Sequence, residues 1–193
     1  MVAVESTMLP LGTVAPGFAL PDAAGSMHSL ESVAAGSQAL VVAFICNHCP
    51  YVKLVADRFA ELGNGWLEKG VAVVAINSND AESHPDDSPA AMAIEVEQRG
   101  YRFPYLYDES QQVARSYRAS CTPDFYVFGP SLRLAYRGRF DGARPGNGEQ
   151  VTGSDLQLAV EAVLGDREPP QPQVPSIGCN IKWRPGNEPE WFA

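Results

Sequence analysis

Two unbroken apolar runs, "ALVVAFI" at 39–45 and "VAVVAIN" at 71–77, set the frame of the chain. Neither alternates apolar with polar positions, so each reads as a strand buried on both faces. Between them Val52, Val55, Phe59, Leu62 and Trp66 recur at steps of three and four, the spacing of one helix face. Gly63 and Gly65 weaken that helix late, and Gly70 suits its end. Strand, helix, strand predicts a parallel pair with a right-handed crossover. Upstream, "LGTVAPGFALPDAAGSMHSL" alternates apolar residues with Pro and Gly, as short hairpin strands do.

Downstream, "SNDAESHPDDSP" at 78–89 is a polar loop that ends the second strand. Residues 90–99 read as a helix, 105–108 as a short strand and 110–117 as a brief helix. "DFYVF" and "LRLAYRGRF", separated by Gly129-Pro130-Ser131, predict an antiparallel hairpin. Ser154-Asp155 is expected to cap a last helix over 155–164, with Gly165 as its stop. The order predicts an α/β domain over 1–165, a mixed central sheet flanked by helices on both faces. The tail, 166–193, holds six of the sixteen prolines, so a regular helix or central strand is not expected there. Its Ile177, Ile181, Trp183, Trp191 and Phe192 predict an extended tail packed back on the domain.

Composition narrows the function classes. A chain of 193 residues, 45% hydrophobic and 19% charged, suits one globular core. Its net charge of −9 argues against nucleic acid and anionic membrane as main partners. No stretch approaches a bilayer span, and the start has no basic and apolar secretory pattern, so a cytoplasmic location is expected. Thiols are kept reduced there, and Cys46, Cys49, Cys121 and Cys179 are not expected to form a disulfide framework.

The chemistry concentrates in "FICNHCPYVK" at 44–53. Cys46 follows a buried strand, and Cys49-Pro50 falls in the first turn of a helix, where proline is tolerated. Unpaired amides and the helix dipole stabilise a thiolate at such a place. The expectation is that the Cys46 sulfur is exposed and readily ionised, with Cys49 close enough to bond to it. His48 is expected to tune the pair by placing positive charge near Cys46. A zinc site also uses C-x-x-C, but the further ligands are scattered and no metal is expected. A permanent structural bridge gains little from so small a loop. Redox chemistry is the best reading.

"APGFALPDAAGSMHSL", "FICNHCPYVK", "INSNDAESHPDDSP", "CTPDFYVF", "YRGRFDG" and "GCNIKWRPGNEP" together cover nearly the whole chain. In them the sequence resembles the thioredoxin-like redoxins of the alkyl hydroperoxide reductase / thiol-specific antioxidant family, in particular the peroxiredoxin-like bacterial branch with a C-N-H-C-P motif. The resemblance implies a thioredoxin fold with an N-terminal β-hairpin extension, and thiol–disulfide exchange at Cys46 and Cys49. It also implies a cis peptide bond at Thr122-Pro123, with these two residues positioning the substrate. Val42 and Cys46 stand where true peroxiredoxins have the Pro and Thr of P-x-x-x-T-x-x-C. No acidic residue lies in "ALVVAFI", where thioredoxin buries a carboxylate. Cys121 reads as a small core residue or a third redox partner, and Cys179 as an inert thiol or a visitor to the site. Arg137 and Arg139 read as surface charges or as stabilisers of a thiolate or an anionic substrate.

Three functions are weighed. The first is a thiol–disulfide oxidoreductase for redox homeostasis, acting on a disulfide-bearing protein or a small-thiol substrate, with Cys46 attacking and Cys49 resolving. It needs no cofactor beyond an external thiol reductant such as the thioredoxin or glutathione system. The second is a peroxiredoxin-like thiol peroxidase acting on peroxide, with Cys49 attacking and Cys46 resolving. The third is a non-catalytic binding or metal scaffold. A monomer or homodimer fits each.

Overall fold

The computed structural model describes residues 3–192; Met1, Val2 and Ala193, at the ends of the two predicted segments, lie outside the described residues. In chain order the first elements are β1 (Ala3–Glu5), β2 (Ala19–Pro21), β3 (Met27–Ser29), α1 (Leu30–Ala34), β4 (Ala39–Phe44), α2 (Pro50–Leu67) and β5 (Val71–Asn77). Then follow α3 (Pro89–Arg99), β6 (Tyr105–Tyr107), α4 (Gln112–Ser116), β7 (Cys121–Thr122), β8 (Asp124–Phe128), β9 (Leu134–Gly138), α5 (Ser154–Leu164) and β10 (Ile177–Asn180).

The two apolar runs become the middle of a five-stranded sheet of order β6-β5-β4-β8-β9. β4 pairs parallel with β5 and antiparallel with β8, so the sheet is mixed. Its period of two sends Val41, Ala43 and Ile45 into one core with α2, α3 and α5, and Leu40, Val42 and Phe44 into the other with α1 and α4. Both faces are covered, and every residue of β4 and β5 is buried. The hydrophobic stripe of α2 places Val52, Val55, Phe59 and Trp66 in the first core. This is a thioredoxin fold.

Three expectations change. The N-terminal hairpin is confined to β2 and β3; residues 11–18 run irregularly, with one isolated bridge, Val14 to Arg133, and backbone hydrogen bonds joining Gly12, Thr13 and Ala15 to residues 132–134. Pro10 and Pro16 remove donors there. The cap of α5 is Gly153 at φ +70°, not Ser154-Asp155. The Asp141 carboxylate accepts from the amides of Thr152 and Gly153, at 2.7 and 2.6 Å, and Thr152 Oγ1 accepts from the Ser154 amide at 3.2 Å, so residues ahead of the helix fix its start.

The third change concerns the tail. β10 is the middle strand of a second sheet, β1-β10-β7, antiparallel on both sides. The prolines at 169, 170, 172, 175, 185 and 189 flank 177–180 and leave each of its amides free to pair. The tail lies back over the domain and buries Cys179, Ile181 and Trp183.

Candidate active site

β4 ends at Phe44, and two residues later Cys46 sits at the edge of the first core. Cys49 is the N-cap of α2, with Pro50 at the first helical position, where its missing N–H costs nothing. β7 brings Thr122 against both: its Oγ1 is 3.2 Å from Cys46 Sγ, and its carbonyl oxygen is 3.2 Å from Cys49 Sγ. The Thr122-Pro123 peptide bond is cis. β10, registered with Cys179 opposite Thr122, delivers a third sulfur 2.8 Å from Cys49 Sγ.

The sulfurs are not open to solvent. Cys46 is 1% exposed, Cys49 0% and Cys179 1%. The expected exposed, readily ionised Cys46 is therefore corrected. Burial, the hydrogen bond to Cys49 and the charge of Asp87 all push the Cys46 thiol well above its usual range. Cys49 is the one that ionises. The thiols of Cys179 and Cys46 and the amides of Val52 and Cys179 hold it far below the usual range, against the opposing effect of burial. Cys179 is pushed up in return, first by its hydrogen bond to Cys49 and then by burial. Three thiols thus share one negative charge, centred at the helix N-terminus. The Thr122 carbonyl accepts a hydrogen bond from Cys49 when that residue is a neutral thiol.

His48 lies beside Cys46, a ring nitrogen within 4.8 Å of the sulfur, and is itself engaged by Asp87. Its Nδ1 is bonded to Asp87 Oδ2 at 2.6 Å, and its ring stacks on His84 with centroids 4.9 Å apart. Asp87 is fully buried and also accepts from the amides of Asn47 and His48, at 2.8 and 3.3 Å, and from Asn79 Nδ2 at 2.8 Å. Burial raises its pKa, but the bonds from His48, Asn79 and Asn47 outweigh it, and the carboxyl lies below the ordinary value. An ionised carboxylate therefore stands beside the Cys46 thiol and keeps it protonated. Ligand atoms of Cys46, His48 and Asp87 lie within 4.8 Å of one another, a sulfur, nitrogen and oxygen set of the kind zinc accepts.

The sequence profile of the AhpC/TSA family matches residues 11–137. The chain belongs to this family. Among solved structures, this AhpC/TSA redoxin is similar to an uncharacterized conserved protein of Geobacillus kaustophilus, at 52% identity and a TM-score of 0.93, over 96% of this chain and 98% of the other. A hypothetical protein of Sinorhizobium meliloti is similar at 50% identity and a TM-score of 0.92, over 94% and 99%. The thioredoxin domain of a thiol-disulfide oxidoreductase from Bacteroides vulgatus shares the fold at 17% identity and a TM-score of 0.56, over 67% and 88%. No curated protein matches.

In this AhpC/TSA chain Cys46, Cys49, His48, Thr122 and Pro123 fall in one place, with Asp87 and Cys179 added. Asp87 supplies from the loop after β5 the buried carboxylate that β4 lacks. "SNDAESHPDDSP" showed acidic residues but gave no sign which one turns inward. Cys179 was visible as a cysteine; only the register of β10 brings it to the pair. Cys121 is fully buried, its Sγ 3.7 Å from the Pro123 carbonyl and its thiol pushed up by burial. Arg137 is held by Gln173 and the Leu9 carbonyl, and Arg139 by Asp155, so neither is committed to the sulfurs.

Proposed function

We propose that this redoxin is a thiol–disulfide oxidoreductase that stores two electrons in Cys46 and Cys49 and passes them to a disulfide on a protein or small thiol compound. The observation that carries the reading is the gathering of Cys46, Cys49 and Cys179 at the start of α2, with Thr122 of the cis Thr122-Pro123 bond 3.2 Å from each of the first two sulfurs; the lowered Cys49 thiol agrees with it. The Cys49 thiolate attacks one substrate sulfur, and the other leaves as a thiolate. Cys46 then attacks Cys49 Sγ, its proton passing to the departing substrate thiolate, and Cys46–Cys49 is left oxidised. Asp87 keeps Cys46 protonated until that step. An external thiol such as the thioredoxin or glutathione system closes the cycle, and no other cofactor is required. The order of attack differs from that expected of Cys46 because burial and Asp87 oppose its ionisation.

Reduction of insulin or of oxidised glutathione tests this. Cys49→Ser is expected to lower the rate by about 100-fold or more, as loss of the nucleophile does. Full activity in Cys49→Ser would overturn the reading.

A second reading is a thiol peroxidase. The burial of all three sulfurs favours it, because a hydroperoxide reaches a covered thiolate more easily than a protein disulfide does. A sulfenic acid trapped on Cys49, with hydroperoxide consumed in step with an added thiol, would establish it; no consumption would exclude it.

A further inference from the structure

The exchange reading uses two sulfurs, yet a third is built into the site. Cys179 is fixed from both sides of β10, opposite Ala3 in β1 and Thr122 in β7. On either side of it the Ser6 amide donates to the Ser176 carbonyl at 2.9 Å and the Ile181 amide to the Ser120 carbonyl at 3.0 Å. Beyond them the Lys182 amide donates to Asn79 Oδ1 at 2.8 Å.

Gly178 completes the arrangement. A Cβ there would run into the Thr122 carbonyl, so β10 lies this close only because residue 178 has no side chain. The closeness is what brings Cys179 Sγ to 2.8 Å from Cys49 Sγ and lets the Cys179 amide support the Cys49 thiolate. An apolar residue at 179 would fill the same space. It would not give the thiolate a neighbour able to bond to it.

We propose that Cys179 is a third redox-active cysteine that closes a Cys49–Cys179 disulfide during turnover. The inference rests on Cys49 being the attacking thiolate. After Cys49 has attacked a substrate disulfide and one substrate thiolate has left, Cys179 attacks Cys49 Sγ. The bond from Cys49 to the substrate breaks, the Cys179 proton goes to the departing substrate thiolate, and two electrons have moved from two protein thiols to the substrate. Cys46 then attacks the same Cys49 sulfur, Cys179 regains a proton, and the disulfide passes to Cys46–Cys49 with no further electrons moved. While Cys49–Cys179 is closed the tail is bound covalently across the site. Transfer to Cys46 releases it.

The test is disulfide mapping of the full chain after brief treatment with oxidised glutathione and acid quenching. Trypsin cuts after Lys53, Arg118, Arg133, Arg167 and Lys182, so Cys49, Cys121 and Cys179 fall in separate peptides. In Cys46→Ser, which cannot pass the bond on, the expected product is a crosslink between the peptides of Cys49 and Cys179. Adding Gly178→Ala moves the tail sulfur away and is expected to slow the crosslink by about 100-fold. Wild-type chain quenched within the first turnover is expected to show the same crosslink without any substitution. Cys49 held as a glutathione mixed disulfide beside a free Cys179 thiol, with Cys46–Cys49 formed in the wild type, would overturn this inference and leave the exchange reading standing. An unmodified Cys49 in both proteins would overturn both.

Discussion

Asp87 and Asp124 are both buried carboxyls near the sulfurs, and their partners give them opposite roles. Four donors reach the Asp87 oxygens, whereas Asp124 Oδ1 has no partner among the described residues and Oδ2 has Tyr126. Burial raises the Asp124 pKa to about 7. Between its unfolded value near 4 and about 7 the native chain holds a proton that the unfolded chain has released, so stability falls as pH rises through that window. Asp124→Asn is expected to remove this slope and to be more stable than wild type by up to ~4 kcal/mol at alkaline pH, read by urea unfolding on either side of the window. For Asp87→Asn two effects are expected. Two donors at Oδ2 would face an amide NH2, at a cost of about 2–4 kcal/mol in urea unfolding. The Cys46 thiol would titrate lower in a thiolate absorbance measurement, because the neighbouring negative charge is gone. At this scale "CNHCP" made the candidate pair legible in the sequence. Which sulfur ionises was not legible there, because the answer depends on Asp87 and Cys179, brought in from 38 residues after Cys49 and from 130.

Among the elements, β4, α2, β5 and the β8–β9 hairpin were legible because each carries its own period: unbroken apolar runs, a three-four stripe, and two β-rich runs about a Gly-Pro turn. β10 was not. Four residues among prolines hold no periodic signal, and the strand exists because β1 and β7 offer it two edges. The start of α5 is likewise set from outside the helix, where Asp141 and Thr152 hold the turn that a cap at Ser154-Asp155 was expected to make. β10 gives a prediction of its own. Gly178→Ala is expected to cost about 1–3 kcal/mol through overpacking against Thr122. Its signature is faster amide hydrogen exchange confined to residues 177–180 and their partners in β1 and β7, with β4 and β5 unchanged. Unchanged exchange in β10 would mean that the close approach is not needed to hold it.

For the molecule as a whole, a sheet covered on both faces leaves the C-terminal end of β4 and the start of α2 as the place where chemistry is presented, and the tail closes over it. Among the described residues no helix is long and apolar enough to cross a membrane. Acidic charge, a covered sulfur cluster and a tail strand seated on β7 all bear on what reaches the site. The central claim is that Cys49, and not Cys46, carries the negative charge of the reduced protein. Carbon NMR of the reduced chain labelled at cysteine Cβ, with resonances assigned from single Cys→Ser variants and followed across pH, tests it most directly. The account predicts Cys49 as a thiolate throughout the neutral range while Cys46, Cys121 and Cys179 remain thiols. Ionisation of Cys46 first, or a Cys49 that stays protonated up to the ordinary cysteine value of about 8.5, would contradict it.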